Sequence, residues 1–141
     1  MSGETFVDTN VLIYAHDVDA GRKHEIAATL LRELWSERTG VLSAQVLQEF
    51  YVNVTRKIAT PVSRPIARKF VSTYTSWCIE PLLADIEMAF RIEEQSQIGF
   101  WDALILAAAS RSGAVRLLSE DLNYGQSIAG VLIENPFATV R

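Results

Sequence analysis

Cysteine is nearly absent from this chain, which has one, Cys78, among 141 residues. A single thiol excludes an internal disulfide and fits a reducing compartment, so we expect a cytoplasmic protein. Cys78 stands beside a predicted strand, where we interpret it as a small buried hydrophobe. Long apolar runs are also missing, since the longest, 103–109, is far shorter than the roughly 20 residues of a membrane helix. The opening MSGETF has no charged segment followed by an apolar stretch, so neither a secretory signal nor contact with a membrane is expected.

Histidine is scarce too, and charge is unevenly distributed. The only histidines are His16 and His24, and their spacing does not suit a zinc site. The formal net charge is −4, which argues against bulk electrostatic capture of nucleic acid. Acidic residues are nevertheless missing from 50–79, where the charged residues are Arg56, Lys57, Arg64, Arg68 and Lys69. This stretch is either an ordinary solvated surface or a locally basic face.

Short apolar runs alternate with longer helical patterns along the chain. Five runs are predicted strands, namely 5–8, 40–43, 78–82, 115–119 and 131–135. Helical periodicity fills the intervals and predicts inward faces with Val46, Phe50 and Val54 in one helix, Ile66, Phe70 and Tyr74 in the next, and Ile86 and Phe90 in a third. Strands separated by helices imply parallel pairing. We therefore predict an α/β fold, a central parallel sheet with helices on both faces, in one domain spanning 1–141.

Four acidic residues occupy positions at strand ends or on apolar helices. Asp8 closes the first predicted strand and Asp121 follows the fourth, so both should face one crevice if those strands are neighbours. Glu49 borders an apolar helical stripe, and Asp102 opens the nearly all-apolar helix WDALILAAA. Each has an ordinary alternative. Asp8 could cap the next helix, Asp102 could favour a helix dipole, Asp121 could form an Asx turn, and Glu49 could be a surface acid.

Four carboxylates that converge cannot all stay ionised unaided. Two unit charges about 4 Å apart repel by about 4 kcal/mol at an effective dielectric of 20. Such a cluster raises its own pKa values or binds a cation, and oxygen ligands without His or Cys select Mg²⁺ or Mn²⁺. Asn10 and Ser119 could then orient a carboxylate or a water of the metal by hydrogen bonding. These metals act on phosphates, because they polarise a phosphoryl oxygen and activate water.

Four segments match a known pattern in order and spacing: FVDTNVLIYA, LSAQVLQEFYVNVTRK, FWDALILAAA and LLSEDLNYG. They resemble the acidic motifs of PIN-domain ribonucleases, most of all the VapC-type toxins of bacterial toxin–antitoxin pairs. The resemblance covers nearly the whole chain and implies a catalytic Mg²⁺ or Mn²⁺ site at Asp8, Glu49, Asp102 and Asp121. It also implies supporting roles for Asn10 and for Ser119, where Thr is the commoner residue. Asn123 stands where the family often has another acid, which would leave one ligand of a second metal position neutral.

The resemblance further implies a compact flap-nuclease fold and cleavage of single-stranded or structured RNA. Water would attack the phosphodiester, so the 2′-OH is not needed as nucleophile. A homodimer and a small antitoxin that inserts a basic residue into the acidic pocket are implied as partners. On this interpretation the basic residues are predicted to follow the RNA backbone, namely Arg56, Lys57, Arg64, Arg68 and Lys69.

Two other function classes stay open. A phosphoacceptor signalling domain also has an α/β fold with an acidic Mg²⁺ pocket, but it needs a late lysine, and no lysine follows Lys69. A PIN-like domain that binds RNA or protein without cutting is the other alternative. His16 and Asp17 belong to no motif, and we expect both on the surface.

Overall fold

The computed structural model describes residues 3–138, which form a six-stranded sheet with helices around it. The strands are β1 (Thr5–Val7), β2 (Gly40–Ser43), β3 (Cys78–Ile79), β4 (Arg116–Leu118), β5 (Ser127–Ile128) and β6 (Val131–Glu134). Their order across the sheet is β3-β2-β1-β4-β6-β5. Neighbouring strands are parallel except β5 and β6. The predicted α/β fold with a central parallel sheet is confirmed.

Six helices of the described segment connect these strands. They are α1 (Thr9–His16), α2 (Arg22–Glu37), α3 (Ala44–Arg56), α4 (Arg64–Tyr74), α5 (Leu83–Ser96) and α6 (Phe100–Arg111), with a short 3₁₀ turn at Thr75–Trp77. Helix α1 packs against α2 and α3, α3 packs against α4, and α5 packs against α6. Helices α2, α3 and α6 also contact the strands. The helices thus form two groups, α1 to α4 and α5 with α6. The apolar side chains of the central strands are buried, including Phe6 and Leu117.

One strand of the structure, β5, is not predicted from the sequence. Ser127 pairs with Leu132 and Ile128 pairs with Val131 in antiparallel register, so two residues form the hairpin loop. Both have positive φ, 52° at Ala129 and 82° at Gly130, as a type I′ turn requires. Ser127–Ile128 contains a single apolar residue, so it lacks the apolar run by which the other strands are predicted.

The inward face predicted for α5 is wrong. Ile86 and Phe90 are exposed, and the helix instead buries Asp85, Ala89 and Ile92. The buried Asp85 carboxylate accepts hydrogen bonds from the Arg111 guanidinium at 2.7 and 3.0 Å, so a charged residue is satisfied on the side that packs against α6. Ile66 of α4, also predicted to face inward, is exposed.

His16 and Asp17 were expected on the surface, but both are half-buried. The His16 ring centroid lies 4.4 Å from that of Phe70 and 5.3 Å from that of Phe50. Its Nε2 lies 2.6 Å from the Tyr74 hydroxyl oxygen. Burial lowers the pKa of His16 to about 4, so the ring is neutral at physiological pH.

Cys78 of β3 is half-buried and packs against the core. Burial raises the pKa of its thiol, which favours the unreactive thiol over the thiolate. In residues 3–138, every helix is too short or too polar to cross a membrane.

Candidate active site

The site begins where two neighbouring parallel strands end. Val7 of β1 lies opposite Leu118 of β4, so the residues that follow, Asp8 and Ser119, leave the sheet side by side. Ser119 Oγ donates to Asp8 Oδ2 at 2.7 Å, and the backbone N–H of Thr9 donates to Asp8 Oδ1 at 2.7 Å. Asp8 therefore caps α1, as its ordinary alternative proposed, while its carboxylate also reaches the neighbouring strand end.

Asn10 connects Asp8 to the segment after β4. Its Nδ2 donates to Asp121 Oδ2 at 3.1 Å and to Asp8 Oδ2 at 3.4 Å. Its Oδ1 accepts from the backbone N–H of Glu120 at 3.1 Å. The backbone N–H of Asp121 donates to Ser119 Oγ at 3.2 Å. A single amide side chain thus bridges two of the acids and holds the backbone of the segment that carries one of them.

The other two acids reach the same place from helices. Glu49 of α3 accepts a hydrogen bond from Thr9 Oγ1 at 3.1 Å, and Asp102 stands in the first turn of α6. All four carboxylates and Asn10 line one cleft of about 200 Å³, with Trp101 as an apolar wall. Asp8 is buried and Asp102 half-buried, whereas Glu49 and Asp121 are exposed, so the cleft is buried at its floor and open to solvent.

The cleft floor penalises negative charge. Burial raises the pKa of Asp8 to about 6, with smaller upward contributions from the charges of Asp102 and Asp121. Hydrogen bonds from Ser119 and Thr9 counteract this increase without cancelling it. Burial and the charge of Asp121 also raise the pKa of Asp102. The site therefore holds more negative charge than its own hydrogen-bond donors compensate.

The donors lining the cleft suit a hard divalent cation. They are carboxylate and amide oxygens, with no His or Cys among the lining residues, which is the ligand chemistry of Mg²⁺ and Mn²⁺. Within residues 3–138, no three His, Cys, Asp or Glu side chains lie close enough together to hold a metal ion as they stand. Mg²⁺ usually keeps several waters and takes one or two carboxylates directly. The residues thus fit a hydrated ion better than a closed cage of protein ligands.

Asn123 lies just beyond the cleft. A second pocket, of about 170 Å³, shares Asp102 and Asp121 with the cleft and is also lined by Asn123 and Gln126. The position at which the family often has another acid is therefore close to two of the predicted metal ligands.

The basic residues of 50–79 do not line the cleft. They are exposed at the end of α3, just after it and on α4, and none forms an ion pair within the part of the chain that the structure describes. Arg56 follows Glu49 by about two turns along α3. These residues remain a predicted RNA contact.

Sequence reasoning missed one group of residues beside the site. The Glu120 carboxylate accepts hydrogen bonds from the Tyr14 hydroxyl, at 2.7 Å, and from Lys23 Nζ. Burial raises the pKa of Glu120, but these hydrogen bonds and the Lys23 charge outweigh it and hold that pKa below its usual range. The acidic pair in LLSED was a signal for Glu120, whereas Lys23, 97 residues away, gave none.

Several solved structures share this architecture. The structure of FitAB bound to an IR36 DNA fragment matches with a TM-score of 0.68 and 17% identity, covering 94% of this chain and 95% of that chain. A toxin–antitoxin complex from Klebsiella pneumoniae matches with 0.67 and 22%, covering 94% and 98%. Mycobacterium tuberculosis VapC20, described as a sarcin–ricin loop cleaving toxin, matches with 0.60 and 18%, covering 81% and 87%. At these identities the likeness shows a common fold.

The sequence itself identifies the family. A comparison with curated proteins finds no match. The family model of the PIN domain, however, matches residues 5–126, which include Asp8, Glu49, Asp102 and Asp121. The resemblance noted from the four motifs is thereby confirmed, and the chain belongs to the PIN domain family.

Proposed function

We propose that this protein is a metal-dependent endoribonuclease that acts as the toxin of a toxin–antitoxin pair. The observation that carries the proposal is the cleft at the carboxyl ends of β1 and β4, which Asp8, Glu49, Asp102 and Asp121 line together with Asn10 in a PIN-domain chain. VapC20, which shares the fold, is described as a sarcin–ricin loop cleaving toxin. A cleft of this donor chemistry on a nuclease-family fold supports phosphodiester hydrolysis better than any other reaction.

Asp8, Asp102, Asp121 and Glu49 would hold Mg²⁺ or Mn²⁺. Once bound there, the cation supplies a Lewis acid for the phosphodiester and a source of hydroxide at neutral pH. Ser119 and Thr9 fix the rotamer of Asp8 by hydrogen bonds to its two oxygens. Asn10 fixes Asp121. These donors keep the carboxylates directed into the cleft and exclude alternative rotamers, which lowers the entropy lost when a ligand binds.

The proposed path of the RNA leads from the cleft onto the basic residues. This surface, formed by Arg56, Lys57, Arg64, Arg68 and Lys69, is exposed and free of acidic residues in the sequence between 50 and 79. Because the protein carries a net charge of −4, RNA phosphates would be attracted only to a locally basic surface such as this one. The backbone would then be held on α3 and α4 while one phosphodiester enters the cleft.

An exposed apolar surface supports the proposed protein partners. It comprises five side chains, which we call the apolar patch: Leu82, Leu83, Ile86, Phe90 and Trp101. Leu83 is 86% exposed and Trp101 is 66% exposed. Phe100 joins the two helices of the patch, because its ring lies 5.7 Å from that of Phe90 and 5.2 Å from that of Trp101. Trp101 also lines the acidic cleft, so a partner seated on the patch would lie next to the site.

The patch is large enough to form the core of a dimer. Its side chains expose roughly 500 Å² of mainly apolar area, at the upper end for monomeric proteins. A standard interface buries about 800 Å² on each partner. We assign the patch to a second copy of the chain, and the acidic cleft to a basic residue of an antitoxin. The Klebsiella pneumoniae structure, which shares the fold and is described as a toxin–antitoxin complex, supports an antitoxin partner.

A non-catalytic PIN-like domain is the second candidate. The observation that favours it is the lack, within residues 3–138, of three acidic or His or Cys side chains close enough to hold a metal. On this alternative the protein would bind RNA or a partner without cutting.

Cleavage assays distinguish the two candidates. Purified protein is incubated with total RNA and Mn²⁺ or Mg²⁺, and new 5′ ends are sequenced. Asp8→Asn is expected to reduce cleavage by more than roughly 100-fold, since even loss of an outer partner of a metal ligand costs 10–100-fold. Glu33→Gln, an exposed acid of α2 outside the cleft, is the matched control and should cleave normally.

The outcomes separate the proposals. A synthetic RNA with a single 2′-deoxy nucleotide at the mapped site should still be cut, because water attacks. Wild-type cleavage by Asp8→Asn would show that the metal site is wrongly assigned. RNA binding without any cleavage by the wild type, with either metal, would establish the non-catalytic alternative.

A further inference from the structure

One acid next to the site points away from it. Glu120 lies between Ser119 and Asp121, both of which belong to the hydrogen-bond network of the cleft, yet Glu120 is not among the residues lining it. Its Oε1 accepts from the Tyr14 hydroxyl at 2.7 Å, and its Oε2 accepts from Lys23 Nζ. The side chain therefore ties the segment after β4 to α1 and α2.

Helix α1 contacts Glu120 twice. Asn10 and Tyr14 are one turn apart and share a face of α1. Asn10 accepts from the backbone N–H of Glu120, and Tyr14 donates to its carboxylate. The same Asn10 donates through Nδ2 to Asp121 and to Asp8. Any movement of Glu120 away from α1 would thus displace the backbone at 120 and disturb the link that Asn10 makes between Asp8 and Asp121.

Aromatic rings fix the cation of this group. Lys23 Nζ lies 5.1 Å from the centroid of Tyr14 and 5.9 Å from that of Phe137, within the range of cation–π attraction. The two rings pack edge to face with centroids 5.2 Å apart. Lys23 and Glu120 are half-buried, with 34% and 24% of their side chains exposed. This packing restrains both ends of the ion pair, unlike a fully solvated pair of flexible side chains.

We propose that Lys23, Tyr14 and Glu120 form a clamp that positions Asp121 and Asn10 for metal binding. Glu120 is a positioning residue and not a ligand. The Glu120 side chain holds the backbone of residue 120 against Asn10. Because Asp121 is the next residue, the Asp121 carboxylate is thereby directed into the cleft. Outer partners of metal ligands act in this way, and their loss typically weakens metal binding 10–100-fold. The role in metal binding rests on the proposed function, whereas the ordering of 119–121 is a property of the metal-free chain.

Two measurements on the full-length protein test the clamp. Hydrogen exchange of residues 119–121 is followed without metal, and Mn²⁺ affinity is measured by calorimetry. Glu120→Ala and Lys23→Met should each speed exchange at 119–121 and weaken Mn²⁺ binding about 10-fold. Lys23→Arg keeps the cation, so hydrogen exchange at 119–121 and Mn²⁺ affinity should both match those of the wild type. Asp85→Asn removes a different ion pair, with Arg111, at the far end of α6, and should lower the melting temperature with less than a twofold change in Mn²⁺ affinity.

Each result has a defined meaning. Unchanged exchange at 119–121 in both Glu120→Ala and Lys23→Met would overturn the clamp. Equal loss of Mn²⁺ affinity in Asp85→Asn would also overturn it, since general destabilisation would then explain the effect. If the wild type binds no Mn²⁺ while exchange at 119–121 rises in the variants, the clamp orders the segment and the proposed metal function fails. Lys23→Met keeps the test decisive if Glu120→Ala does not fold.

Discussion

Replacing Asp8 by Asn is expected to stabilise the metal-free protein at neutral pH, although it removes a predicted metal ligand. The pKa of this carboxyl lies at about 6 against 3.8 for the unperturbed group, chiefly because it is buried. Ionising it in the folded state therefore costs about 3 kcal/mol more than in the unfolded chain, at 1.36 kcal/mol for each pKa unit. An uncharged amide of nearly the same shape avoids that cost.

Part of the gain is lost in hydrogen bonding. The two Asp8 oxygens accept from Thr9, Ser119 and Asn10, and an Asn side chain offers only one acceptor oxygen. Losing one such bond costs about 1 kcal/mol. The net stabilisation should be about 2 kcal/mol, which raises the melting temperature of a chain of this size by about 6 °C.

The pH dependence of this gain has a definite sign. Because the folded pKa of Asp8 is raised, its contribution to wild-type stability is fully present below pH 3.8 and is lost as the pH rises through about 6. The advantage of Asp8→Asn should therefore be absent near pH 3.8 and complete above pH 7. Added Mn²⁺ should stabilise the wild type and leave the variant unaffected.

Urea unfolding in EDTA at several pH values, compared with Glu33→Gln, measures these changes. A variant less stable than the wild type at pH 7.5, or a gain independent of pH, would refute the argument that the cleft floor stores uncompensated charge. The same substitution should stabilise the protein and abolish activity, since functional sites commonly sacrifice stability.

Three further outcomes are expected. Reversing the charge of Arg64 and Arg68 together should weaken RNA binding. The slope of log K against log salt concentration should flatten by about 1.4, as expected for the loss of two phosphate contacts to single-stranded RNA. An unchanged slope in a filter-binding titration would show that these two residues do not contact the RNA. Leu83→Asp should turn a dimer into a folded monomer in sedimentation experiments, because it places a charge in the apolar patch, and a wild type that sediments as a monomer would contradict the dimer. His16 has a pKa of about 4 in the folded state against 6.5 in the unfolded chain, so its contribution to stability is present above pH 6.5 and is lost as the pH falls through about 4. The loss should reach about 3 kcal/mol. Urea unfolding in the Asp8→Asn background, which removes the opposite pH dependence of Asp8, should show this loss, whereas adding His16→Phe should abolish it.

Prediction from sequence succeeds here where the signal is local. Apolar runs ending in Asp8 and in LLSED predicted the strand ends, and the alternation of strands and helices predicted a parallel sheet, because both depend on residues a few positions apart. The same local logic failed at Ile86 and Phe90. Their spacing suits a buried face, but the packing of α5 against α6 buries a neighbouring face of the helix, where Asp85 pairs with Arg111.

The candidate site likewise has features that local sequence predicts and features that depend on long-range contacts. The residue types and their positions after strands or on apolar helices are enough to indicate a carboxylate cleft. Nothing local, however, states that β1 and β4 are neighbours, and only that adjacency lets Ser119 reach Asp8 across 111 positions of sequence. Lys23 likewise meets Glu120 only through the packing of α1 and α2.

The amino-acid sequence by itself determined the α/β class, the family and the acids that can meet, because periodicity and motif spacing are carried by neighbouring residues. Tertiary structure alone decided that these acids share one cleft, that Asp8 is buried enough for its pKa to rise, that His16 is enclosed by aromatic rings, and that the apolar patch stays exposed. Burial and long-range contact depend on how the strands order themselves and which helix faces pack, and both are set by the free energy of the whole folded chain.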